Sequence, residues 1–549
     1  MHVSDSVKLA LLNVQKESIT DVDAFSRPFE LDFLKDANVY AQIKTMIETR
    51  INKALSIIKS GNEPFDALRE LRISPIRSIL IPKKTLFDFR QCAYTEPLDE
   101  IIFLSLAIAL SNKIEKSRIH RNSNIVYSYR LRRDLTSVSE PAYIFDSKYN
   151  YTKFRKEISE KAKDENIRVV VACDIANFYD RLNLHRLENT LLAIPEIDHD
   201  VVRLINELLL YWSNRDSYGL PVGSNASRIL AEASLINVDK FLLEKNIKFS
   251  RYVDDYRLFA KDASEAHSWL SLLVERLSQE GLFLNTSKTS IIEAKKVVKD
   301  SIPAPNSLAI DATADQEMEK TDLPIIIRGY SGLIPTKFRN ISASETDRLR
   351  REDQQKIRQS ALENDLIEPK DFTKYVRITV AKELWKELAE ISAVLKRFPQ
   401  FVPYYLDCAR KHSKPLGSHK SLIIRNVEEL IKSPTILEYL RIYAVRFLVL
   451  DDFLNKKLVM DCYSDIRRSE GVYLGRAILE SIQSLVSRED VLKIKSDFAR
   501  ADRAEKRQIL KILRTHLNES EFSAFYKNVS LNEDDVWYPL IHKTERSSS

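Results

Sequence analysis

The stretch Phe249-Ser-Arg-Tyr-Val-Asp254-Asp255-Tyr-Arg-Leu-Phe-Ala260 decides the fold. Two runs rich in aromatic and branched residues flank an Asp-Asp pair, a pattern that predicts a β-hairpin with both acids at its tip. Upstream, Arg168-Val-Val-Val-Ala-Cys-Asp174-Ile predicts a short buried strand that delivers another carboxylate at its carboxyl end. Between the two, a helix is expected after Gly219-Leu-Pro-Val-Gly223, with Ala226, Ile229, Leu230, Ala233 and Ile236 on one face. Downstream, Asp262 to Gln279 reads as an amphipathic helix. Asp262 and Glu265 suggest a capping box, Ala266, Trp269, Leu270, Leu273 and Leu277 form its apolar face, and Gly281 sits where a C′ glycine belongs. Leu282 and Leu284 then open a further strand. This order of elements predicts a small antiparallel sheet backed by helices, an α+β layer.

With the first strand beside the hairpin, Asp174, Asp254 and Asp255 converge at one end of the sheet. Such crowding is costly unless cations occupy it, and carboxylate oxygens suit Mg²⁺. Two such ions about 3.5 to 4 Å apart can activate an attacking hydroxyl and stabilise the leaving oxygen of a phosphoryl transfer. Taken alone, the Asp254-Asp255 pair also fits plain turn chemistry, because Asp favours hairpin tips.

Order and company add to this. Asp174-Ile-Ala-Asn-Phe-Tyr179, Leu220-Pro-Val-Gly223 with Ser227, Tyr252-Val-Asp-Asp255, and Gly281-Leu-Phe-Leu-Asn-Thr-Ser-Lys288-Thr289 resemble four successive palm motifs of reverse transcriptases. Ile81-Pro-Lys83 with Arg90 resembles their fingers segment, so the likeness spans roughly residues 75 to 295. The resemblance implies a right-hand polymerase with fingers and a ferredoxin-like palm, and an RNA-directed DNA polymerase-like nucleotidyltransferase activity. It also implies site roles. Asp174, Asp254 and Asp255 would hold two Mg²⁺ ions, for which Mn²⁺ could substitute, with the Ile175 carbonyl as a further ligand. Lys83 and Arg90 would grip the incoming triphosphate. Tyr179 stands where the family keeps an aromatic against the sugar, to exclude a 2′-hydroxyl. Val222 and Gly223 fall in the loop that handles template or nucleotide, and Val222 replaces the glutamine common in retroviral and intron enzymes. Lys288 would either approach the triphosphate or cap a solvated strand end.

Val126-Tyr-Ser-Tyr-Arg130, together with Leu220-Pro-Val-Gly223 and Ser227-Arg-Ile-Leu-Ala-Glu232, is similar to bacterial abortive-infection and other defence-associated reverse transcriptases, the unknown-group enzymes. These pair the polymerase with an all-helical carboxyl region. The tail carries no histidine-asparagine endonuclease pattern and no acidic ribonuclease H pattern, and neither short retron motif occurs. The resemblance implies antiphage DNA synthesis from deoxynucleoside triphosphates, with unusual templating or a protein hydroxyl as primer, and a non-coding RNA as a candidate partner. The alternative is a catalytically silent RNA-binding or assembly scaffold that keeps the palm shape.

Composition agrees with a globular chain. Hydrophobic residues make up 44% and charged residues 30% of 549, which excludes bulk disorder. Nine glycines are about a quarter of the usual ~7% frequency, so long helices joined by few tight turns are expected. Cys92, Cys173, Cys408 and Cys462 are scattered, with no Cys-x-x-Cys pair, and read as buried thiols rather than a zinc ribbon or disulfide framework. The longest apolar stretch, Ile101 to Leu110, is too short to span a bilayer, and no secretory pattern opens the sequence, so a cytoplasmic protein with no membrane partner is expected. A net charge of +6 leans weakly towards polyanions. Arg118, His120, Arg121, Arg130, Arg132 and Arg133, interleaved with Tyr127 and Tyr129, suit phosphate contacts plus base stacking, and equally a solvated helix face.

Texture divides the chain into a helical amino-terminal region with the fingers over 1–165, the palm over 166–300, an acidic, proline-containing linker over 301–321, and a helical carboxyl domain over 322–549. In the last, Leu384, Leu388, Ile391 and Leu395 mark one helix, Leu437, Leu440, Ala444 and Phe447 another, Val472, Leu474, Ala477, Ile478 and Ile482 a third, and Ile509, Leu510, Ile512 and Leu513 a fourth. Stacked helical pairs of the HEAT-like kind or an ordinary bundle both fit, and either offers surface for a second copy or a partner protein.

Overall fold

The computed structural model describes residues 2–83, 89–301, 336–364, 366–433, 435–465, 473–532 and 534–544. The chain forms two compact units, one of Met1–Val22, Arg27–Ile76 and Ala93–Gly329, the other of Asp23–Ser26, Arg77–Cys92 and Tyr330–Ser549. The sequence predicts a single region over 1–165. Instead, most of the two-stranded sheet of β1 (Arg77–Pro82) and β2 (Phe89–Tyr94) belongs with the helical carboxyl region. The expected linker over 302–321 lies outside the described residues.

At the centre of the first unit is a four-stranded antiparallel sheet. It consists of β3 (Val169–Asp174), β4 (Phe249–Tyr252), β5 (Asp255–Ala260) and β6 (Ser290–Glu293), in the order β4-β5-β3-β6. The β-branched run of β3 is central and buried, as a strand covered on both faces must be. β4 lies at the edge, and Ile125 to Tyr127 covers it: Arg251 N–H donates to the Ile125 carbonyl (2.8 Å) and Tyr127 N–H to the Arg251 carbonyl (2.9 Å). One core cluster gathers Tyr127, Phe154, Ile158, Ile167, Val170 and Phe259.

The helix Ala263–Gln279 backs the sheet with Ala266, Leu273 and Leu277 buried, while Trp269 and Leu270 are half-exposed. Its capping is half of what the sequence suggests. Asp262 accepts from Glu265 N–H (2.8 Å), but the Glu265 carboxylate turns back to Lys261 N–H (2.8 Å). The strand expected at Leu282 reduces to a single bridge, Leu284 to Ile175, because Asn285 caps a 3₁₀ turn, Thr286–Lys288, that bends the chain before β6 can form. The helix expected after Gly223 is two: Asn225–Ser234, capped by Ser224, and Ile236–Glu244. The apolar run at Ile101 lies within Pro97–Ser117, a helix apolar nearly all round that packs between Val3–Glu17 and Asn225–Ser234. No helix among the described residues is long and apolar enough to cross a membrane.

The second unit is a stack of helical pairs. Its helices Val402–Lys411, Glu438–Phe447, Leu474–Ile482, Arg503–His516 and Tyr538–Lys543 pack in succession and start 36, 36, 29 and 35 residues apart. Ion pairs repeat with a similar stride, Lys420–Asp452 (2.6 Å), Lys456–Asp490 (2.8 Å) and Arg488–Glu521. Three of the four expected apolar stripes fall on these helices, and the first lies outside them, divided between Trp385–Glu390 and a 3₁₀ segment, Ile391–Lys396. Val472 lies outside the described residues. Within this unit β1 rests on Glu438–Phe447, Arg77 pairs with Asp502 (3.1 Å), and Phe25 meets the Tyr473 ring edge-on at 4.9 Å.

Candidate active site

Three connections bring the acids together. Asp174 ends β3 directly opposite Asp255, the first residue of β5. Ile175 N–H donates to the Asp254 carbonyl (3.1 Å), which ties the turn to the exit of β3. The Asp174 carbonyl accepts from Asn285 N–H (2.7 Å), which brings in the segment that carries Lys288. The Lys288 ammonium lies 2.9 Å from Asp174 Oδ2, with most of the side chain exposed. Arg257 pairs with the Asp255 carboxylate. Burial pushes the Asp255 carboxyl up to about 6, against the pull of Arg257 and with Asp174 adding to the rise.

All-carboxylate donors at a sheet end are the chemistry of a hard divalent cation, so the residue types fit Mg²⁺. As the side chains stand, Asp174 and Asp255 are turned to Lys288 and Arg257, and among the described residues no three His, Cys, Asp or Glu side chains are close enough to hold an ion.

Tyr179 is buried, in the short helix Phe178–Arg181, and its carbonyl accepts from Leu220 N–H (2.9 Å), which joins the first and second motifs. Val222 is buried too, its carbonyl accepting from Ala93 N–H (3.0 Å). Gly223, at φ +117°, lies against the amino-terminal segment so closely that a Cβ would meet Thr20 Oγ1 at 2.3 Å. Both loop residues are thus engaged by neighbouring segments. Lys83 and Arg90 belong to the second compact unit, not to that of Asp174.

The basic cluster needs correcting as a nucleic-acid surface. Arg118 and Arg130 are buried, their guanidinium groups bonded to Glu115, Glu232 and the carbonyls of Ile119, Val126, Ser128 and Tyr129. Arg121 pairs with Glu115 (3.0 Å) and Arg132 with Asp134 (2.5 Å). Arg133 is exposed. Density of arginine in the sequence could not separate these cases, because the acids that claim them are up to 114 residues away.

Some contributors were missed. Arg257 follows Asp255 by two positions and so shares its face, a signal the strand alternation carries. Ser128, Glu232, Arg251 and Asp239 support the acidic turn. Ser128, Glu232 and Arg251 fall within the sequence motifs and Asp239 outside them, but local sequence carries no sign that the four meet.

Residues 112–308 match the family model described as reverse transcriptase (RNA-dependent DNA polymerase). That match and the α+β sheet with its acids define an RNA-directed DNA polymerase-like nucleotidyltransferase domain, a class that uses divalent metal ions, nucleotides and nucleic acid. No curated protein matches the chain. Among solved structures it is similar to telomerase from Candida albicans in complex with a fragment of telomeric RNA, at 15% identity, over 74% of this chain and 66% of that one, with a TM-score of 0.28. The chain therefore spans about two thirds of that neighbour's length, at 66%.

Proposed function

We propose that the chain is a metal-dependent DNA polymerase of an antiphage defence system, polymerising deoxynucleotides with unusual templating or from a protein hydroxyl. The observation that carries the polymerase reading is the opposition of Asp174 and Asp255 across the middle of the sheet, with Asp254 tied to the same strand exit, inside the matched segment. The defence role draws on the motifs Val126–Arg130 and Ser227–Glu232 and on the helical carboxyl region.

In the reaction a 3′-hydroxyl attacks the α-phosphorus of a deoxynucleoside triphosphate; a P–O bond forms, and the bond to pyrophosphate breaks. Mg²⁺ held by the carboxylates would acidify that hydroxyl and neutralise the leaving group. Asp174, Asp254 and Asp255 supply anionic oxygens from one rigid sheet end. Lys288, whose ammonium stands beside Asp174, would offer its positive charge to a phosphate. Tyr179 offers bulk beside the sugar.

The competing reading is a catalytically silent RNA-binding scaffold, and the Lys288–Asp174 and Arg257–Asp255 pairs are what it would display. Purified protein with Mg²⁺ and labelled deoxynucleotides, followed by nuclease and protease digestion of the product, separates the two. Synthesis that falls by orders of magnitude in a folded Asp254→Asn variant supports the polymerase, whereas no synthesis by the wild type supports the scaffold. Phage plating with both versions tests the defence role: protection should vanish in the variant.

A further inference from the structure

The turn that presents Asp254 and Asp255 is unfavourable on its own. Val253 is the first of two residues between the paired Tyr252 and Asp255, and its φ is +57°. Two-residue hairpin turns with positive φ at that place favour glycine, asparagine or aspartate, and a β-branched side chain resists the left-handed region. Neighbouring groups hold it there. Val253 N–H donates to Ser128 Oγ (2.9 Å), and the Val253 carbonyl accepts from Arg251 Nη1 (2.8 Å).

Both partners are fixed in turn. The Ser128 hydroxyl donates to Glu232, so its lone pairs are left to face Val253. Glu232 also accepts from Arg118 (2.5 Å) and Arg251 (3.0 Å); burial pushes its carboxyl up, but these two arginines outweigh it and hold the acid ionised. Arg251 is fully buried and forked onto Asp239 (2.9 and 2.6 Å), which also accepts from the Tyr256 hydroxyl (3.2 Å). Arg118, Arg130 and Arg251 each meet at least one of Glu115, Glu232 and Asp239, so none of these buried guanidinium groups lacks a carboxylate.

We infer that Ser128 and Arg251, oriented by Glu232 and Asp239, are positioning residues that clamp Val253 in its left-handed conformation and thereby set where Asp254 and Asp255 stand. The inference gives two separate motifs, Val126–Arg130 and Ser227–Glu232, one shared task. For its kinetic readout it rests on the polymerase reading.

The test uses the full chain with Ser128→Ala, Ser128→Thr, Val253→Gly and the double variant Ser128→Ala/Val253→Gly. Hydrogen exchange at the residue 253 amide needs no activity. Ser128→Ala should speed it about tenfold or more in the valine protein, and Ser128→Thr, which keeps the hydroxyl, should not. In nucleotide incorporation, Ser128→Ala should lower kcat about tenfold with KM within about twofold. In the Val253→Gly background, where glycine adopts the turn unaided, the same change should cost less than about threefold. Equal losses with Val253 and with Val253→Gly, or unchanged exchange in Ser128→Ala, would overturn the clamp. Should Ser128→Ala fold poorly, Ser128→Cys, similar in size but a weak acceptor, carries the same expectations. A wild type that incorporates nothing overturns the polymerase reading alone, since exchange still decides the clamp.

Discussion

Glu100 shows how far burial can move a single group. It lies in the first turn of Pro97–Ser117, fully buried, with the hydroxyls of Ser224 (2.6 Å) and Thr95 (2.9 Å) on its oxygens. Burial pushes its carboxyl from 4.5 up to about 8. Between those values the folded protein holds a proton that the unfolded chain has released, so stability should fall as pH rises from about 4.5 to 8. Glu100→Gln keeps the shape without the charge. Its melting temperature relative to wild type should rise between pH 5 and pH 8, by an amount reflecting a few kcal/mol at most; a constant difference would show that Glu100 is ionised in the fold. Tyr179 carries a second expectation at this scale. Tyr179→Ala should raise ribonucleotide use relative to deoxynucleotide use, and unchanged discrimination in an active variant would make it a packing residue only. Asp174, Asp254 and Asp255 were legible because short β-branched and aromatic runs break off at these acids, and because the order of their motifs resembles that of reverse transcriptases. Arg118 and Arg130 were not, because a guanidinium looks the same in sequence whether water or a distant carboxylate receives it.

Among the elements, the hairpin and the backing helix follow local pattern closely, whereas the turn before β6 depends on one capping side chain, Asn285, against a run of apolar neighbours. The repeat of the helical region was harder to see, since its strides of 36, 36, 29 and 35 residues vary and its register lies in contacts between helices. Its ion-pair ladder contributes little per pair, because exposed pairs are worth ~0–1 kcal/mol. Close packing matters more. A Cβ on Gly475 would come within 1.4 Å of Glu505 Oε1, and Glu505 is itself buried while capping Arg503–His516 through Asp502 N–H (3.3 Å). Gly475→Ala should therefore destabilise the second unit by about 1–3 kcal/mol although alanine is the better helix former. Denaturant unfolding would show it, and a stabilised variant would mean that Glu505 moves aside freely.

For the whole molecule, the division of the chain matters more than its order. Because Arg77–Cys92 and Asp23–Ser26 belong to the unit of the helical repeats, removal of residues 322–549 strips these segments of their partners, Asp502, Tyr473 and Glu438–Phe447 among them. A fragment of residues 1–321 should be insoluble, with no polymerase or defence activity. Soluble expression of that fragment with the same product at the same rate would show that the helical region is an independent appendage.

The same division sets a schedule for biosynthesis. The buried residues Ile79 and Ile81 of β1 leave the ribosome early, but the helix β1 rests on, and Asp502, which pairs with Arg77, are encoded roughly 350 to 420 residues later. At about 5–20 residues per second that interval is on the order of 20 to 80 seconds. Throughout it the apolar side chains of β1, Ile79 and Ile81, have no helix to rest on, so the strand depends on later synthesis for its cover.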